Sequence, residues 1–112
     1  MNAPDVYQGY RALLPSGVSK LDVEEVPARL TVTLPLERPG AYASQVKAPI
    51  LFAICDKDSV APASTTLSYA KQAPRATIKH YNVGHFDIYL GELFEQAVAD
   101  YLAFFDTHVK KA

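Results

Sequence analysis

The most constraining feature of the chain is Ile50-Leu51-Phe52-Ala53-Ile54-Cys55, an unbroken apolar run that follows Pro49 and stops abruptly at Asp56-Lys57-Asp58. It has strand length and is apolar on both faces, which predicts a strand covered on both sides, the habit of parallel sheets. Pro62 is placed to open a helix reaching about Gln72, where Pro74 stops it. A second β-prone run, Ala76 to Tyr81, leads into the turn Asn82-Val83-Gly84. Beyond it, Phe94, Ala97, Val98, Tyr101, Leu102, Phe105 and Val109 recur at helical spacing, so an amphipathic helix must dock there with these residues in the core. Strand, helix, strand, helix in this order predicts a βαβα unit with parallel strands flanked by helices, joined by a right-handed crossover.

The preceding residues are harder to place. Pro4, Gly9, Pro15 and Gly17 punctuate residues 1–21, which read as a weakly ordered lead-in. From Asp22 to Leu36 two periods coexist. Val26, Leu30 and Leu34 form a helical stripe, while Ala28, Leu30, Val32, Leu34 and Leu36 alternate as a strand would. Pro35, Pro39 and Gly40 end whichever element forms.

At 112 residues, 49% hydrophobic and 21% charged, the whole chain 1–112 is expected to be a single globular domain. Eleven basic against twelve acidic residues give a net charge of -1, which offers no basic field for nucleic acid. There is no signal-peptide pattern and no apolar run of about 18 residues, so the expectation is a soluble, cytoplasmic protein with no membrane partner. The single cysteine, Cys55, excludes an internal disulfide, and no Cys/His cluster has metal spacing. Cys55 ends an apolar strand and reads as a small buried hydrophobe rather than a nucleophile.

Catalytic residue types collect at the two strand ends. Loops beyond the carboxyl ends of parallel strands share one edge of the sheet, so Asp58 and His85 are expected together there. Adjacent strands lie roughly 4.8 Å apart, close enough for a carboxylate to hold an imidazole Nδ1–H and stabilise the imidazolium. Each residue alone has an ordinary structural reading: Asp58 or Ser59 as a cap for the Pro62 helix, Gly84-His85 as a turn. Asp56 reads as a turn residue. His80 and His108 read as exposed positions, and Lys110 and Lys111 as a solvated tail.

Pro49 to Pro62 resembles the strand and acid loop of the α/β-hydrolase family, and Gly84-His85-Phe86-Asp87-Ile88-Tyr89 resembles that family's histidine loop. Pro39-Gly40 resembles the end of a cap region in serine-aminopeptidase-like members. The resemblance spans about Pro39 to Val109 and implies a partial α/β-hydrolase fold over 41–112, with 22–40 cap-like or a replacement strand. It further implies that Asp58 is the triad acid and His85 the triad base, in a reaction on ester or amide bonds needing no cofactor. Two departures stand out. Cys55 replaces a frequent Gly, and no Gly-x-Ser-x-Gly elbow occurs. In this family's order the serine precedes the acid, so nucleophile and oxyanion donors are expected upstream of Met1. The chain reads as a truncated C-terminal third, inactive alone. The alternative is an interaction module: the far edge of the Ile50–Cys55 strand would be uncovered, to be closed by a second copy, by a complementing chain, or by residues 28–36.

Overall fold

The computed structural model of the protein describes residues 6–18 and 37–109. The ambiguous stretch 22–36 and the Lys110-Lys111 tail lie outside the described residues.

The elements are α1 (Val6–Ala12), a 3-10 helix (Pro39–Gln45), β1 (Ile50–Cys55), α2 (Ala63–Ala70), β2 (Ala76–Tyr81), a short 3-10 turn (Asp87–Tyr89) and α3 (Gly91–His108). β1 and β2 pair in parallel, in register from Ile50 opposite Ala76 to Cys55 opposite Tyr81. Among the described residues the fold is therefore mixed α/β, a βαβα order around a two-stranded parallel sheet. Backbone pairing continues past both strand ends, where Asp56 N–H donates to Tyr81 C=O at 2.8 Å and Lys57 N–H to Val83 C=O at 3.1 Å.

Side chains alternate across the sheet. Cys55 and Tyr81 face α3 and pack with Ala97 and Ile88, joined by Ala53, Val83 and Tyr101. Tyr81 donates its hydroxyl to Asp100 on α3 at 2.7 Å, and Lys79 reaches the other Asp100 oxygen at 3.1 Å. α2 contacts β1 as well, and packs on the Pro39–Gln45 helix. There Gly40 admits the Tyr69 ring: a Cβ at that position would lie 2.7 Å from Tyr69 Cε2.

Four sequence expectations need correction. Residues 1–21 are not loop throughout, because Val6–Ala12 forms α1, whose buried residue is Gly9. A seven-residue helix gains little from its own hydrogen bonds, so tertiary contact, which local propensity does not encode, holds it. The β1 strand is not covered throughout: Ile54 and Cys55 are buried, and Ile50 to Ala53 are half-buried. The reason is topological, since β2 is its sole strand neighbour among the described residues. Phe94, Leu102 and Phe105 on α3, and Val109 just after it, are exposed although the stripe placed them in the core. The helix approaches the sheet at Ala97, which is 1% exposed, so its seam runs along Leu93, Ala97, Tyr101 and Phe104. The outer apolar line is one residue, about 100°, further round. In addition α2 ends at Ala70 rather than near Gln72, its last carbonyls taken by the amides of Lys71 and Gln72.

Candidate active site

The two loops at the carboxyl ends of β1 and β2 bring together the residues singled out from the sequence. Asp58 N–H donates to Cys55 C=O at 3.1 Å, turning the chain immediately after β1. In that turn Asp58 Oδ1 accepts the amides of Val60 and Ala61, each at 2.8 Å. Asp58 does not cap the helix that follows, whose N-cap, Pro62, receives no side-chain hydrogen bond; it ties its own loop with one oxygen and leaves the other for a second partner. Oδ2 faces His85 Nδ1 at 2.7 Å, across 27 positions of sequence.

The charge state follows from this environment. Burial pushes the Asp58 carboxyl up, but the Ala61 amide, the His85 ring and the Val60 amide outweigh it, and its pKa lies below the usual carboxylate range. An ionised carboxylate only accepts, so Nδ1 carries the proton and donates it. In the neutral ring Nε2 then holds the lone pair, the arrangement a general base requires. The Asp58 side chain is 9% exposed and that of His85 30%, so the acid is sheltered and the base reachable. Both border a cavity of about 210 Å³ lined also by Ala53, Ile54, Ala63, Thr66, Ile88 and Tyr101.

Several neighbours were not legible as site residues. Asp87 Oδ2 accepts the Gly84 amide at 2.9 Å, closing the histidine loop. A carboxylate three residues after a turn glycine was the available signal. His80, read as merely exposed, has Nδ1 2.8 Å from Asp56 Oδ1, in an exposed pair. The parallel register accounts for it, since Asp56 follows Cys55 and His80 precedes its partner Tyr81. His108 lies against Phe104 at 4.5 Å between centroids. Among the described residues, Cys55 is buried, no cluster of His, Cys, Asp or Glu has metal-binding geometry, and no helix is long and apolar enough to cross a membrane.

Fold and site thus define a class: a mixed α/β unit carrying an acid–imidazole pair on the carboxyl edge of a parallel sheet. The chain is similar to the Quorum-quenching protein AidA of Acinetobacter baumannii (strain MDR-ZJ06), with 49% identity over 104 residues. That alignment takes in 93% of this chain and 34% of the relative, so the chain spans about a third of that protein's length. No protein-family model and no solved structure matches the chain.

Proposed function

We propose that this chain is the acid–base portion of a serine-hydrolase-type site, acting on an ester or amide bond of a small molecule. The observation that supports it is the 2.7 Å contact between Asp58 and His85 at the ends of adjacent parallel strands, acid before base in sequence. In this reading His85 Nε2 takes the proton of a serine hydroxyl as it attacks the acyl carbon, and Asp58 stabilises the resulting imidazolium. The proton then passes to the leaving group. The serine and the oxyanion donors come from sequence beyond these 112 residues or from a second chain, because no Gly-x-Ser-x-Gly is present. In this reading the natural substrate is a cell-density signal, a choice supported by the relative's name as a quorum-quenching protein.

The test is complementation. The chain alone is expected to leave activated short-chain esters and aminoacyl amides unhydrolysed. Coexpression with the remaining two-thirds of the A. baumannii relative is expected to give a complex with turnover, lost in His85→Ala. A stable complex without turnover overturns the hydrolase reading, and His85-dependent turnover by the chain alone overturns the missing nucleophile.

A second reading, an interaction module, is favoured by the outer edge of β1, which has no strand partner among the described residues, and by exposed Leu102 and Phe105. Edges of this kind are closed by another strand. Light scattering at high micromolar concentration distinguishes the two: a homodimer supports the module, a stable monomer argues against it.

A further inference from the structure

We propose that α1 positions the imidazole of His85, acting through Phe86, with Gly9 and Tyr10 as the positioning residues. The inference rests on the acid–base reading of the site and adds a control over it that lies about 75 residues upstream in sequence.

Asp58 fixes His85 at one point, the Nδ1 contact at 2.7 Å. A single hydrogen bond leaves the ring free to swing about the Nδ1···Oδ2 line. The second constraint is the Phe86 ring, edge-on to the imidazole with centroids 4.9 Å apart and planes at 77°. Such edge-to-face contacts have a preferred geometry, so a fixed Phe86 restrains the imidazole. Phe86 is in turn backed by α1. The Tyr10 ring meets it edge-on at 6.3 Å and 77°, and Gly9 presses its backbone against it. A Cβ on Gly9 would fall inside the van der Waals envelope of Phe86 Cβ and 2.8 Å from Cγ.

This contact explains a glycine that local structure alone does not. Glycine within a helix is unfavourable relative to alanine, and Gly9 sits in the middle of α1 with no turn to make. Its use is close approach: without a side chain, the helix backbone reaches the Phe86 side chain. The contact orders α1 and, through Phe86, limits where the imidazole can go.

The test is NMR of the whole chain with 15N-labelled histidine, which needs no substrate. In the unaltered chain the His85 ring is expected to show the Nδ1-protonated tautomer and a slowly exchanging Nδ1–H. Tyr10→Leu and Gly9→Ala are expected to abolish that proton signal and move the ring nitrogens toward the averaged shifts of a freely exchanging imidazole. Tyr10→Phe, which keeps the ring, is expected to restore the original spectrum. His80 is the internal control, since its partner is Asp56 at the exposed end of the sheet, and its shifts are expected to stay fixed. Should Gly9→Ala not fold, Tyr10→Leu decides. An unchanged His85 spectrum in Tyr10→Leu overturns the proposal, as does an equal change at His80, which would mean general loosening. Absence of the Nδ1-protonated form in the unaltered chain would instead overturn the acid–base reading.

Discussion

Asp58 and His85 share one carboxylate with the loop that presents them: Oδ2 holds the imidazole at 2.7 Å while Oδ1 holds the Val60 and Ala61 amides. Asp58→Asn and Asp58→Ala therefore separate the two duties. The asparagine carbonyl can still accept the amides, leaving its NH2 toward His85 Nδ1, which must then act as acceptor. We expect Asp58→Asn to fold with nearly unchanged stability but to move the His85 proton to Nε2, seen in ring 15N shifts. Asp58→Ala loses both sets of bonds and is expected to cost about 1–3 kcal/mol in urea unfolding. Equal stability of the two variants would show that the loop amides do not depend on this side chain.

The same carboxylate sets an acid limit. Its folded pKa is lowered, so its contribution is complete above the unfolded value of about 4 and is lost as pH falls through the lower folded value. We expect the urea midpoint to change little on this account from neutral pH to about pH 4.5, and to fall below about pH 4. In Asp58→Asn that acid loss is expected to be smaller, a difference measured by parallel unfolding curves at several pH values.

Much of this geometry follows from residues that carry their own local signal. The apolar run before Asp56 and the β-prone run before Asn82 define β1 and β2, and parallel pairing then brings Asp58 and His85 to one edge. What sequence patterning missed depends on contacts between distant segments. Gly9 reads as a breaker until Phe86 is placed beside it. Leu93 and Phe94 are both apolar on α3, and only docking at Ala97 decides which line faces the sheet. The Asp56–His80 pair depends on strand register, which local patterning leaves open.

Tyr81 ties β2 to α3 through Asp100, and its hydroxyl is pushed well above its ordinary pKa, first by burial and then by the Asp100 carboxylate. A raised tyrosine pKa contributes stability that is complete below the unfolded value of about 10 and lost as pH rises through the folded value. Tyr101 is shifted in the same direction, chiefly by burial. We expect an ultraviolet titration of the native protein to show tyrosines that ionise only on alkaline unfolding. Tyr81→Phe is expected to remove one of them and to lower stability by about 0.5–1.5 kcal/mol. Ionisation of all tyrosines together near pH 10 would contradict the buried hydrogen bond.

Ala97 and Phe105 stand on one helix but should respond to substitution to different degrees. Ala97 is 1% exposed, within the cluster formed by Cys55, Tyr81 and Ile88. A larger side chain there must push α3 from the sheet, so Ala97→Leu is expected to cost about 1–3 kcal/mol. Phe105 is 56% exposed and Leu102 60%, and in a monomer Phe105→Lys or Leu102→Lys should lie within about 0.5 kcal/mol of the unaltered chain. If this outer line is instead an interface, the same lysines would bury an unpaired charge on association. Measuring urea midpoints over a hundredfold range of protein concentration reads both possibilities. We expect no dependence on concentration if the chain is monomeric. For an interface through this face, the midpoint should rise with concentration in the unaltered chain and lose that rise in Phe105→Lys.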